Sequence, residues 1–137
     1  MHPDDRELLT NAVLSYQKPL IVVHGGAQRQ ESALAGVQAA KGEYVLVHDA
    51  ARPCLSRDLV HRIISATREY NAAVPVVPMV DSVKRVSHGW AIADADRSEL
   101  FCAQTPQGFR RALLLEALQR ACAQGRYFAD EASALLA

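Results

Sequence analysis

An excess of one charge sign is the first thing this sequence lacks: fifteen Lys and Arg stand against fifteen Asp and Glu over 137 residues. Without a long-range field, neither nucleic acid nor an anionic membrane is expected as a partner, and any phosphate binding has to be local. Cysteine is sparse as well. Cys54, Cys102 and Cys122 are odd in number and far apart, with no C-x-x-C pair and no ligand-like spacing to the five histidines. They read as small buried hydrophobes in a reducing cytoplasm. No apolar run approaches the roughly 18 residues of a membrane span, and Met1 to Glu7 is polar and acidic rather than a charged-then-apolar export signal. A soluble, cytoplasmic protein is expected. Internal repeats, linkers and low-complexity tracts are missing too, so the segments read as one unit.

What is present is enough apolar material, half of all residues, for a single buried core. Its periodicity switches repeatedly between the helical and the strand template, which points to a layered α/β domain. Leu8, Leu9 and Val13 share a helical face after Asp4 and Asp5, and Leu20 to Val23 reads as a buried strand broken by Gly25 and Gly26. Ala33, Leu34, Val37 and Ala40 repeat at three and four and predict a helix from Arg29 to Ala40, with Gly42 as the stop. Tyr44 to Val47 is a second buried-strand run. The loop Asp49 to Leu55 follows, and Ser56 is an N-cap for a helix over Arg57 to Tyr70 that buries Leu59, Ile63 and Ala66.

Ala72 to Val77 is β-prone, but Pro75 within it and Pro78 after it predict an edge or an interrupted strand. Val80 to Val86 and Trp90 to Ala93 flank Ser87-His88-Gly89, the signature of a hairpin projecting from the main sheet. A last strand around Leu100 to Ala103 leads through Thr105-Pro106-Gln107-Gly108 to a helix from Arg110 to Ala123. That helix carries Leu113, Leu114, Ala117, Leu118 and Ala121 and ends at Gly125, and Asp130 opens one more.

In open α/β sheets ligands sit beyond the carboxyl ends of the strands, so the loops after Val23 and Val47 are the places to look for chemistry. The first, His24 to Ser32, has two glycines that admit a flat ligand and a helix start that offers free N–H donors; the alternative is an ordinary tight turn. The second, His48-Asp49-Ala50-Ala51-Arg52-Pro53, sets a carboxylate at a strand tip with a guanidinium three residues on. Asp49 suits magnesium, which prefers oxygen ligands and shares its shell with phosphate oxygens and water, and Arg52 suits a bidentate phosphate contact. A plain Asp–Arg ion pair bracing the loop is the alternative.

Taken in order, V-H-G-G-A-x-R-Q-x-S, Y-V-L-V-H-D-A-A-R-P, D-S-V-K-R, D-R, T-P-Q-G-F and D-E-A-S make the chain resemble the 2-C-methyl-D-erythritol 4-phosphate cytidylyltransferases over nearly its whole length. The resemblance implies a Rossmann-like nucleotidyltransferase fold, three layers α/β/α with a protruding β-hairpin arm at roughly 80–98, over one partial cytidylyltransferase domain, 1–137. It implies a homodimer in which each arm reaches the partner's site. The implied reaction uses CTP and magnesium to make CDP-methylerythritol and pyrophosphate for isoprenoid precursors. Position by position, Gly26, Ala27 and Ser32 match cytosine-contacting residues, and Ala27 stands where some relatives are acidic. Asp49 and Ala50 match the ribose and magnesium-triphosphate region, with Asp49 the metal ligand. Arg52, Ser82 and Arg97 match positions that hold methylerythritol phosphate; Ser82 stands where relatives often have threonine, and Arg97 is the catalytic position, orienting the attacking phosphate. Trp90 is expected to anchor the arm by packing, and Lys84, Arg85, Asp94 and Asp96 to be solvated arm charges. Thr105, Pro106 and Gln107 are expected to shape a loop, and Asp130 to cap a helix.

The family's first strand, its glycine-rich loop with an arginine and a lysine, and its last lysine-bearing strand have no counterpart in the sequence. An incomplete sheet, uncovered apolar faces and negligible isolated activity are therefore expected. Ribitol 5-phosphate cytidylyltransferase is the nearest rival activity. Behind it stand a fused bifunctional enzyme carrying a cyclodiphosphate synthase and a non-catalytic nucleotide-binding or dimerising remnant.

Overall fold

The structure, a computed structural model, describes residues 20–137; the predicted helix through Leu8, Leu9 and Val13 lies outside the described residues. In chain order the elements are α1 (Arg29–Ala39), β1 (Tyr44–Val47), α2 (Arg57–Tyr70), β2 (Ala72–Ala73), β3 (Val76–Pro78), β4 (Val83–Ser87), β5 (Trp90–Ala95), a 3-10 turn (Arg97–Glu99), β6 (Phe101–Ala103), β7 (Gln107–Arg110), α3 (Arg111–Ala123) and α4 (Glu131–Leu136).

The main sheet runs β1-β7-β2, and its middle strand is one that the sequence disguises. Gln107–Arg110, expected as loop and helix start, pairs antiparallel with both neighbours, Val45 opposite Phe109 on one side and Ala72 opposite Phe109 on the other. Strand alternation sends successive side chains to opposite faces. Phe109, fully buried, packs with Val37 of α1, Leu114 and Leu118 of α3 and Ala134 of α4, and Val45 and Val47 join them. Gly108 faces the other way, against α2, where an added Cβ would lie 2.0 Å from Thr67 Oγ1 and 2.9 Å from Ile63 Cγ2. Only glycine lets α2 approach this closely. The result is the expected three-layer sandwich, with α2 on one face and α1, α3 and α4 on the other, but with an antiparallel strand at its centre.

Other expectations meet the structure as follows. Ser56 caps α2, its hydroxyl accepting from Leu59 N at 3.2 Å. Ile63 is buried, Leu59 and Ala66 are only half-buried, and Thr67 completes the buried face by donating to Ile63 O at 2.7 Å. The β-prone run is interrupted at Pro75: Ala72–Ala73 joins the main sheet, whereas Val76–Pro78 pairs with β6 in a separate ribbon. The hairpin forms at the predicted turn, where His88 and Gly89 adopt φ of +48° and +84° and Ser87 faces Trp90; two positive-φ residues are what a tight two-residue turn requires. Gly125, at φ +62°, follows α3, and Asp130 caps α4 through Ser133 N at 2.8 Å.

Three expectations fail. Leu20 to Val23 is not a strand: it has no regular secondary structure and no ladder partner among the described residues, and Leu20, Ile21 and Val22 are exposed. A strand needs a neighbour to satisfy its backbone, and apolar character alone does not supply one. Cys54 is exposed, since it sits in the loop before α2 rather than on a packed face. Leu113 is exposed because α3 turns Leu114, Ala117, Leu118 and Ala121 inward, leaving Leu113 off the buried stripe.

Candidate functional site

The turn after residue 23 is held together by its own backbone and by a distant segment. Gly26 N donates to Ser32 Oγ at 3.1 Å, and Gln28 N donates to Glu31 Oε2 at 3.2 Å, so the start of α1 folds back over the glycines. A Cβ on Gly26 would lie 2.3 Å from Glu31 Cβ, so this glycine is required for close approach. The Gln28 amide, joined by the Tyr127 hydroxyl at 3.0 Å, holds the Glu31 carboxyl below its ordinary value, and the same contact raises the Tyr127 phenol. Gln30, buried, donates to Arg126 O at 3.0 Å and accepts from Phe128 N at 3.1 Å. Residues 126–128 thus brace the turn from behind.

The loop after β1 is held to the segment that follows β6. Thr105 Oγ1 lies 2.9 Å from His48 Nδ1 and 3.4 Å from Asp49 N, while His48 Nε2 meets Arg52 O at 2.8 Å. Arg52 Nε reaches Asp49 Oδ2 at 3.3 Å, and Nη1 donates to Gln104 Oε1. The Thr105–Pro106 peptide is cis. Beside Arg52 opens a cleft of about 820 Å³, polar at the end formed by His48, Gln104 and Thr105 and apolar where Leu59, Ile63 and Val76 line it.

Arg29 joins the two loops. Its guanidinium donates to both oxygens of Glu131, at 2.8 and 2.9 Å, and lies 3.6 Å from Asp49 Oδ1. Glu131 is almost wholly buried. The bidentate contact raises the Arg29 pKa further above its ordinary value; burial works against this, and the Asp49 charge adds to it. Asp49 therefore stands between two arginines, with both contacts at the long end and its side chain 37% exposed. A single accessible carboxylate at a strand tip fits magnesium carried in on phosphate oxygens. It does not fit an all-protein metal cage, and no group of three or more His, Cys, Asp and Glu side chains occurs among the described residues.

Of the predicted site residues, Gly26, Ser32, Asp49 and Arg52 are brought into one region by Arg29, with Ala27 and Ala50 exposed on the same two loops. Ser82 and Arg97 are not brought there. Arg97 donates to Val80 O across the base of the arm, and no hydrogen bond or ion pair among the described residues links either of them to Asp49 or Arg52. Arg29, His48, Gln104 and Glu131 escaped sequence reasoning. Arg29 and Glu131 do stand inside the V-H-G-G-A-x-R-Q-x-S and D-E-A-S motifs, which was the available signal.

The family model described as 2-C-methyl-D-erythritol 4-phosphate cytidylyltransferase, IspD, matches residues 1–137. A curated protein of that description from Bacillus licheniformis is 42% identical over 119 residues, which is 86% of this chain and 52% of the relative. A bifunctional enzyme IspD/IspF from Allorhizobium ampelinum is 42% identical over 142 residues, 97% of this chain and 35% of its own length. Among solved structures, the 2-C-methyl-D-erythritol 4-phosphate cytidylyltransferase of Thermus thermophilus superposes with a TM-score of 0.79 at 36% identity, over 88% of this chain and 62% of that one. The 4-diphosphocytidyl-2C-methyl-D-erythritol synthase of Anaerococcus prevotii reaches 0.89 at 25% identity, over 97% and 60%. The chain thus spans about half the length of the first of these curated relatives and about a third of the bifunctional one.

Proposed function

Since the chain belongs to the 2-C-methyl-D-erythritol 4-phosphate cytidylyltransferase family, we propose that it serves the transfer of CMP from CTP to methylerythritol phosphate in isoprenoid precursor synthesis. A phosphate oxygen of the acceptor attacks the α-phosphorus of CTP; the new P–O bond forms as the α–β bridging P–O bond breaks, and pyrophosphate departs. Such a displacement relies on positioning and charge neutralisation rather than on a protein nucleophile. The observation that carries the reading is the convergence of the Gly26–Ser32 turn on Asp49 and Arg52 through Arg29.

The backbone at Gly26 and Ala27 and the hydroxyl of Ser32 read the edge of cytosine. Asp49 and Ala50 lie beside the ribose and triphosphate, and Asp49 would hold magnesium, which when bound neutralises charge on the phosphates. Arg52 exchanges Asp49 and Gln104 for the acceptor phosphate and grips it bidentately. Arg97 orients the attacking phosphate and Ser82 contacts the acceptor, both from the arm of a second copy, in a homodimer. The arm supports this: a two-stranded ribbon is marginal alone, and Val86, Trp90 and Ile92 are all exposed on it. The protein works in the cytoplasm, where its three free thiols suit a reducing medium. With basic and acidic residues in equal number, neither nucleic acid nor an anionic membrane is expected as a partner; no helix among the described residues is long and apolar enough to cross a membrane.

Ligand-dependent melting tests the reading. CTP with magnesium raises the melting temperature while GTP with magnesium does not, and methylerythritol phosphate gives a further rise that ribitol 5-phosphate does not match. An equal response to CTP and GTP, or none to either, sinks the base-site assignment. A response only to ribitol 5-phosphate sinks the acceptor assignment.

A further inference from the structure

Arg29 has two carboxylates within reach and treats them differently. Glu131 takes both terminal nitrogens at 2.8 and 2.9 Å, whereas Asp49 is left at 3.6 Å. A fork-to-fork pair fixes the plane of the guanidinium as well as its position, so Arg29 cannot turn to close on Asp49 while Glu131 holds it. Glu131 is itself immobilised. It opens α4 directly after the cap residue Asp130, which accepts from Ser133 N at 2.8 Å and from Gln107 Nε2 at 3.1 Å. Gln107 Oε1 in turn accepts from Ala132 N at 3.2 Å, clamping the first turn of α4 to the central strand.

Charge balance adds to geometry. Glu131 and Asp49 balance Arg29 and Arg52, so the four groups carry no net formal charge. Without the Glu131 charge the set carries +1, which disfavours a cation, and Arg29 is free to form a short ion pair with Asp49. We propose that Glu131 is a positioning residue that, by holding Arg29 back, keeps Asp49 open to the divalent cation that accompanies the nucleotide. This rests on the assignment of Asp49 to the metal–triphosphate region.

The experiment compares binding of manganese·CTP with binding of CTP in EDTA, by calorimetry, for the wild-type chain, Glu131→Gln and the double variant Arg29→Met/Glu131→Met. Circular dichroism and melting temperature report the fold alongside. In Glu131→Gln, manganese·CTP affinity falls at least tenfold while metal-free CTP affinity stays within about twofold. In the double variant manganese·CTP affinity returns to the wild-type value or better, because the competing cation is gone. Should Glu131→Gln fail to fold, the double variant decides alone. Equal loss of both affinities in Glu131→Gln, or manganese·CTP affinity in the double variant tenfold below wild type, overturns the proposal while leaving the nucleotide site in place. Wild-type protein that binds CTP equally with and without manganese overturns the assignment of Asp49 and this inference with it.

Discussion

The two halves of the candidate site are built on different principles. At the two loops, residues far apart in sequence hold one another: Arg29 and Glu131 are separated by 102 positions, the Gln30 side chain and the Phe128 backbone by 98, His48 and Thr105 by 57. On the arm the contacts are local. The Arg97 guanidinium bonds to Val80 O, Lys84 pairs with Asp94 across the hairpin, and Asp96 accepts from Ser98 two residues away. The nucleotide loops take their geometry from the core of this chain, whereas the arm takes from it only a hairpin register. The proposed role of the arm therefore needs bracing from a second copy.

That contrast can be broken by mutation, and the largest effect belongs to the core. Phe109→Ala removes the one fully buried aromatic ring among the described residues, at the point where β7 meets α1, α3 and α4. It is expected to cost about 3–5 kcal/mol, read as a fall in the urea midpoint, and to abolish CTP binding with it. Gly26→Ala sharpens the contrast. The new methyl meets Glu31 Cβ, so the turn shifts and CTP affinity drops about tenfold, or about 1.4 kcal/mol, while the urea midpoint changes far less than in Phe109→Ala.

Acid probes the brace itself. Burial opposes ionisation of Asp130, but hydrogen bonds from the Ser133 side chain and backbone and from Gln107, with the charge of Arg29, outweigh it and hold the carboxyl below its ordinary value. A carboxyl with a lower pKa folded than unfolded stabilises the protein fully above the unfolded value, and the contribution is lost as pH falls through the folded one. Stability should therefore decline below about pH 4, and Asp130→Asn, which keeps a capping side chain, should flatten that decline in urea midpoints measured across the range. The smallest effect is expected on the arm. Trp90→Ser, at a residue 77% exposed, leaves the unfolding free energy from urea titration at low protein concentration within about 0.5 kcal/mol of wild type. If the arm docks on a second copy as proposed, the substitution abolishes the dimer in analytical ultracentrifugation. A large loss of intrinsic stability would mean that the arm is braced by its own chain after all.

Sequence reasoning reached the elements whose signals are local. α2 was legible from its Ser56 cap and from Ile63 on its inner face, and the hairpin from Ser87-His88-Gly89. It missed β7, because a four-residue strand reading Gln-Gly-Phe-Arg has no alternation to display; its identity comes from Gly108 meeting Thr67 and from Phe109 filling the core, both tertiary facts. It assigned Leu20 to Val23 to a strand because four apolar residues resemble one whether or not a neighbour exists to complete the ladder. In the site, Asp49 and Arg52 were legible from their spacing at a strand tip. Glu131 was not: next to Asp130 at a helix start, a second acidic residue is ordinary, and only its burial against Arg29 sets it apart.

The Arg29–Glu131 pair also fixes an order of events during synthesis. Arg29 opens α1 and Glu131 opens α4, so the loop closed by their contact spans most of the described chain. Contacts of such long sequence separation form late, since the chain between them must be ordered first. Of the two carboxylates that Arg29 meets in the folded chain, a nascent chain still lacking α4 holds only Asp49. On the proposed assignment of Asp49, full affinity for metal-bound nucleotide is therefore expected only once α4 has emerged and docked.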